Sequence, residues 1–218
     1  MVELMQKNWF KAGITIVLLL IIASFGYRIW VNSEQGSSRL IPVTNNKGED
    51  NRIFATDFEL EDANRQKVKL SDYDDKVKLV YFFFSFCPDV CPLSTQNLVD
   101  VQDLLIEKKL FGDKVQMLSI SFDPKRDTGE RLKQFSESYG VNSAGWTFLR
   151  GNDEEQMKKL AEQYGIGVMK DEKGNFVHTN IVLLVDKNEV IRAYYNILDE
   201  EITADMIVKD IKTLTKEK

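Results

Sequence analysis

Residues 77–84 read Val-Lys-Leu-Val-Tyr-Phe-Phe-Phe, a nearly continuous apolar run rich in valine and aromatic side chains. A run without polar alternation predicts a strand buried on both faces, which needs a neighbour on each edge and cover on each side. Residues 115–122 form a second run of this kind. Between them Pro92 opens a helical pattern with Leu93, Val99, Leu104 and Leu105 among its apolar positions and Gly112 just past its end. Further helices are expected over residues 130–139, from an Asp153 cap to about Tyr164, and from about Glu200 to Leu214. Residues 146–149 are strand-like, residues 180–185 pair with 190–195, and an early hairpin joins 58–60 to 68–70 around Ala63-Asn64-Arg65. Strands alternating with helices and ending in a hairpin predict an α/β fold with a central mixed sheet flanked by helices.

The N-terminus reads differently. Residues 12–27 carry no charge, sixteen residues against the roughly 20 that span a bilayer core. Trp9 and Phe10 at one end and Tyr27 and Trp30 at the other suit interfacial belts, and Lys11 and Arg28 can snorkel. Counted from Trp9 to Trp30 the segment is long enough. Lys7 and Lys11 favour a cytoplasmic N-terminus, and Arg28 weakens that asymmetry. The rival is a cleaved signal peptide, whose best small-x-small site, Ser24-Phe25-Gly26, is a poor one. The expected organisation is residues 1–8 cytoplasmic, 9–30 a single-pass anchor in the cell membrane, 31–53 a polar tether interrupted at 40–43, and 54–218 one domain on the extracytoplasmic side. Two nearby cysteines can oxidise there. The net charge of −5, with no Lys/Arg block longer than a dipeptide, argues against a nucleic-acid partner.

Chemistry-bearing side chains are few. The chain has two cysteines and one histidine, and both cysteines fall in Phe86-Cys87-Pro88-Asp89-Val90-Cys91-Pro92, where the first buried strand gives way to a helix. Proline is tolerated at a first helical position, so Cys91 is expected at the N-cap and Cys87 in the preceding turn. A helix N-terminus favours thiolate over thiol and should lower the cysteine pKa. The C-x-x-x-C spacing lets two sulfurs reach one metal ion or each other. A Cys87–Cys91 disulfide is feasible if the turn brings the Cα atoms within about 7 Å. A purely structural bridge across so short a loop restrains little chain entropy, and two prolines with an aspartate are odd core filling. The lone His178 in Phe176-Val177-His178-Thr179-Asn180 precedes a strand expected beside the cysteine-bearing one. Alone it would read as a surface or hydrogen-bonded histidine. With the cysteines it makes a Cys₂His set that suits copper better than a four-ligand structural zinc site.

A strand running into Cys-Pro-Asp-Val-Cys-Pro, then Ser121-Phe122-Asp123-Pro124-Lys125-Arg126-Asp127-Thr128, then a solitary late histidine, resembles the Sco/SenC family. The resemblance covers the domain from about Phe54 and includes the anchor. It implies a membrane-anchored, thioredoxin-like protein linked to copper delivery to the CuA centre of cytochrome c oxidase. It carries Cys87, Cys91 and His178 over as copper ligands, and gives Asp89 and Asp123 supporting roles. It also implies one copper, Cu(I) or Cu(II), per domain. The implied partners are subunit II of the oxidase, an upstream copper donor and a thiol reductase. Gly129 departs from the proline common after the Asp-Thr, which touches a helix start and not the metal site. Ordinary thioredoxin-like reductases use C-x-x-C and face it with a later proline. Here no proline lies beyond Pro124, and His178-Thr179-Asn180 stands where that proline is expected.

Two readings follow. One is a copper metallochaperone, which binds and hands over metal without catalytic turnover. The alternative is a membrane-anchored thiol–disulfide oxidoreductase, with Cys87 and Cys91 as redox-active residues that reduce the cysteines of the oxidase copper site. A peroxidase is disfavoured, because Ser85 precedes Cys87 by only two residues where Thr-x-x-Cys would be needed.

Overall fold

Every residue of β3 (Val77–Phe83) is buried, and the sheet is built outwards from it. The structure, a computed structural model, describes residues 17–26, 39–87, 90–170 and 176–217. On one edge β3 pairs in parallel with β4 (Val115–Ser121), from Val77 opposite Val115 to Phe83 opposite Ser121. On the other it pairs antiparallel with β8 (Ile181–Val185). β4 continues in parallel to β5 (Trp146–Arg150), which meets the hairpin of β1 (Glu59–Asp62) and β2 (Lys67–Lys69). β9 (Ile191–Asn196) closes the far edge, giving the order β2-β1-β5-β4-β3-β8-β9. The expected mixed sheet is present, with its parallel core in the middle.

Helices supply the cover. α1 (Val90–Glu107) connects β3 to β4, α2 (Gly129–Ser138) connects β4 to β5, α3 (Glu154–Gln163) follows β5, and α4 (Ala204–Leu214) ends the fold. Asp153 caps α3 by accepting from Gln156 N–H, and Thr128 and Thr203 cap α2 and α4 in the same way. α4 buries Ile207, Val208, Ile211 and Leu214, one stripe at helical spacing, and packs against α1. Each such side chain contributes about 1.5–3 kcal/mol. The Tyr195 hydroxyl of β9 donates to buried Asp210 of α4 at 2.8 Å, which fixes the helix on the sheet.

Several expectations are corrected. α1 starts at Val90, so Cys91 is its second residue and Pro92 its third. The missing proline N–H costs nothing there, because the first four N–H groups of a helix have no intrahelical partner. Leu93 is 60% exposed. The buried stripe of α1 runs through Cys91, Ser94, Thr95, Leu98, Val101, Gln102 and Leu105, and Leu93 lies off it. α4 begins at Ala204. A two-stranded ribbon absent from the sequence reading, β6 (Val168–Lys170) with β7 (Phe176–His178), stands outside the main sheet. The chain joins the domain before Phe54: Ile41 N–H donates to Arg192 O and Ile191 N–H to Ile53 O at 2.7 Å. At Gly129 a Cβ would lie 2.7 Å from the Ala63 carbonyl oxygen, so the β1–β2 turn crowds out a larger residue.

A separate unit, Met1–Arg39, is described at residues 17–26, which are helical with exposed apolar side chains, and at Arg39. Among the described residues no helix is long and apolar enough to cross a membrane. The span expected over residues 9–30 is therefore not seen as one, and its remaining residues lie outside the described part.

Lys78 is the anomaly of the central strand. It is fully buried, and its Nζ meets no hydrogen-bond partner among the described residues. Burial lowers its pKa, opposed chiefly by the Glu189 carboxylate. A lysine whose folded pKa is depressed costs stability where it is charged, and that cost fades as pH rises towards the unfolded value near 10.4. Lys78→Met is expected to stabilise the fold by about 1–3 kcal/mol at pH 7, with the gain shrinking by pH 10, in urea titrations at both pH values. A loss of stability at pH 7 would show that the ammonium is well compensated.

Candidate metal centre

The site forms where β3 and β4 run out at their carboxyl ends. After Phe83 the chain turns, with Cys87 N–H donating to Phe84 O at 3.4 Å. Phe84 and Ser85 are buried, Phe86 is exposed and Cys87 half-buried. What holds this turn is Asp127. Its carboxylate accepts from Ser85 N–H at 3.1 Å, from Ser85 Oγ at 2.5 Å and from Ser121 Oγ at 2.5 Å. Arg131 completes the clamp, donating to Ser85 Oγ at 2.8 Å and to Ser85 O at 2.9 Å. Burial pushes the Asp127 pKa up, and the two serines pull it back. In the sequence Asp127 stands within the Ser121–Thr128 motif with nothing in its residue type to mark its role. Its position after a buried strand, four residues beyond Asp123, was the available signal.

Asp123 has a different task. Its carboxylate is paired with Arg126 Nε, and the Arg126 guanidinium lies 5.8, 5.5 and 5.9 Å from the centroids of Phe84, Phe86 and Phe176. Asp123 thus steers a cation onto an aromatic cluster. Phe84, Phe122 and Phe176 pack together with centroids 5.0–5.5 Å apart. Asp89 lies outside the described residues.

His178 sits at the end of β7, opposite Val168. Its ring meets Phe122 at 4.9 Å and Phe84 at 5.9 Å, both edge-on. His178 Nδ1 is 3.0 Å from the Thr179 carbonyl oxygen. A carbonyl only accepts, so this contact assigns the proton to Nδ1 and leaves Nε2 with its lone pair. Nε2 points at Cys91 Sγ, 3.6 Å away. Cys87 Sγ in turn accepts from Cys91 N–H at 3.4 Å. The structure thus brings all three predicted residues to one place, with neither cysteine in a disulfide.

Two points differ from the sequence reading. The Cys91 pKa is pushed up, first by its hydrogen bond with the Cys87 sulfur and then by burial. The helix N-terminal N–H of Cys91 is donated to the Cys87 sulfur, and the Cys91 side chain itself faces the core. Among the described residues, moreover, no three His, Cys, Asp or Glu side chains are gathered tightly enough to hold a metal as they stand. Cys91 and His178 already touch, so metal binding has to draw in Cys87. The donor set itself, two sulfurs and one imidazole ringed by phenylalanines, fits copper and excludes the hard, oxygen-seeking cations.

A family model described as SCO1/SenC matches residues 46–216. An SCO2-like protein of Rickettsia felis is 27% identical over 190 residues, which are 84% of this chain and 88% of that protein. The structure of BsSco, described as a member of the Sco family of cytochrome c oxidase assembly proteins with a disulfide switch, is similar at a TM-score of 0.69 and 25% identity, covering 77% of this chain and 96% of that one. Bradyrhizobium japonicum ScoI, solved with copper bound, is similar at a TM-score of 0.61 and 26% identity, covering 74% of this chain and 99% of that one. The α/β fold with its central mixed sheet is the thioredoxin-like fold of these structures.

Removing the Asp127 carboxylate should loosen the cysteine turn. Asp127→Ala leaves the buried Ser85 N–H without its acceptor and is expected to cost about 1–3 kcal/mol in chemical denaturation. The folded carboxyl titrates above its unfolded value, so its ionisation takes stability away as pH rises from the usual carboxylate range. Asp127→Asn should therefore flatten the stability profile in that window. Unchanged stability in Asp127→Ala would remove the clamp from the account.

Proposed function

The chain belongs to the SCO1/SenC family, and from that premise we propose that it carries copper as cargo on Cys87, Cys91 and His178 and assists assembly of the CuA centre of cytochrome c oxidase. The observation that carries this reading is the Cys91–His178 contact, with the Nε2 lone pair aimed at a buried sulfur. Two soft sulfurs suffice for Cu(I), and the imidazole adds the donor that Cu(II) prefers. The exposed Phe86 beside Cys87 leaves the site open to a partner, here subunit II of the oxidase. Copper and a Cys87–Cys91 bridge compete for the same sulfurs, so oxidation follows metal release and a reductase resets the site.

A second reading is favoured by the asymmetry of the two thiols: Cys87 is half-buried and Cys91 fully buried. An accessible attacking sulfur backed by a buried resolving one suits thiol–disulfide exchange. Cys87 would open a partner disulfide to form a mixed disulfide, and Cys91 would displace the partner thiol. Two electrons and two protons then pass to the partner as Cys87 and Cys91 become bridged.

The same proposal holds that residues 9–30 anchor the protein once in the cell membrane, N-terminus inside and domain outside. The exposed apolar helix at residues 17–26 supports it. Intact-mass measurement of the membrane-bound protein should find the N-terminus retained. A mature chain starting near Tyr27 would overturn that.

Copper titrations separate the ligands. Cys87→Ser and Cys91→Ser should each weaken Cu(I) by about 100-fold or more, ~2.8 kcal/mol, because a hydroxyl is a hard and poor donor. His178→Ala should weaken Cu(II) at least about tenfold, ~1.4 kcal/mol, and Cu(I) far less. An unaltered Cu(II) spectrum and affinity in His178→Ala would return His178 to an ordinary surface role.

A further inference from the structure

His178 reaches the cysteines from the β6–β7 ribbon, whose two strands pair with each other and not with the main sheet. The chain enters the ribbon through Gly165-Ile166-Gly167, where Gly165 has a φ of +76° and a Cβ at Gly167 would meet nothing within 4 Å. It leaves through Thr179-Asn180. Val168 stands opposite His178 at this inner end, and Lys170 stands opposite Phe176 at the outer end. Alternate residues of a strand share a face. Val168, Lys170, Phe176 and His178 therefore line the face towards the domain, and Met169, 67% exposed, points the other way.

The inner end is pinned by buried Ile166 and Val168. The outer end is held by Phe176, packed on Phe84 and Phe122, and by an ion pair. Lys170 Nζ lies 4.7 Å from the Phe176 ring centroid and reaches Glu154 Oε1 at 2.5 Å. Glu154 is the first residue of α3, beside the Asp153 cap, where a helix N-terminus favours a carboxylate. Lys125 Nζ adds a second cation 3.7 Å from the other carboxylate oxygen. A partly exposed pair contributes little to global stability. A two-stranded ribbon is marginal without outside support, so at its outer end the same energy decides how often it lifts.

We propose that Glu154 is a positioning residue for His178: paired with Lys170, it holds the outer end of the ribbon down, keeps Phe176 against Phe84 and Phe122, and so keeps Nε2 aimed at Cys91 Sγ. His178 lies near the pivot, so lifting the outer end turns the imidazole more than it carries it away. A turned ring loses its edge-on contacts with Phe84 and Phe122 and opens to solvent. For copper the proposal rests on the metallochaperone reading and deepens it. A lifted ribbon withdraws the imidazole and leaves the two sulfurs, which releases Cu(II) and spares Cu(I). The aim of the ring in the metal-free protein does not rest on that reading.

Diethyl pyrocarbonate acylates an accessible imidazole, and His178 is the chain's only histidine, so its modification in the full-length, metal-free protein reports how often the ring turns out. Glu154→Gln and Lys170→Met are each expected to speed that reaction about two- to fivefold at low salt. The double variant should be no faster than either single one, because both remove the same pair. Lys170→Arg keeps the charge and should stay at the wild-type rate. Raising the salt to about 1 M should bring the wild type towards the variants and leave the variants where they were. A merely structural pair would lower unfolding stability and leave the modification rate unchanged. Wild-type rates in folded Glu154→Gln and Lys170→Met overturn the inference, and so do additive effects in the double variant. In the copper-loaded variants Cu(II) should pass to EDTA faster by the same factor, with Cu(I) transfer to bathocuproine disulfonate unaltered. If the wild type takes no copper but the His178 rates shift, the copper reading fails and the role of Glu154 stands.

Discussion

One buried carboxylate ties the site to the fold. Asp127 joins Ser85, just past β3, to Ser121 at the end of β4, and Arg131 holds the same serine from α2. The backbone ladder joins β3 to β4 as far as Phe83 and Phe122, and the side-chain bridge extends that link to Ser85 beyond the strand end. Here it sits two residues from Cys87. The turn that presents the first sulfur is therefore tied by side chains to the end of the sheet.

The remaining donors are placed by that arrangement. α1 leaves the turn with Cys91 on its buried stripe, under the sheet end, and β8 follows directly from the ribbon carrying His178, next to β3. The crevice beyond the carboxyl ends of parallel strands is the general place for ligands in α/β sheets. What particularises it here is chemical. Phenylalanines ring the imidazole, Asp123 holds Arg126 over them, and the two thiols there are of unequal exposure. The aromatic wall keeps His178 in one orientation, and the Thr179 carbonyl fixes its tautomer. An imidazole held in that way presents Nε2 to the Cys91 sulfur.

Much of this was legible in the sequence. The buried strands announced themselves through unbroken apolar runs, and the cysteines through their position between strand and helix. His178 was legible as the partner of a neighbouring strand. What escaped depended on tertiary context. The three-residue strands of the β6–β7 ribbon are too short for any periodicity. Asp127 looks like an exposed loop residue until the two strand ends close over it. Helix position alone predicts a favoured cysteine thiolate, but the sense of the Cys91 pKa follows from which sulfur receives the N–H and which is buried. Leu93 reads as core only if the helix phase is set wrongly by Pro92.

The account's central claim is that the metal and the disulfide use the same two sulfurs. Copper uptake by the full-length protein, measured as metal per chain after gel filtration in its fully reduced and fully disulfide-bonded forms, tests it most directly. One copper on the reduced form and essentially none on the oxidised form is the predicted result. Equal uptake by both would place the metal elsewhere and leave thiol–disulfide exchange as the better reading of Cys87 and Cys91.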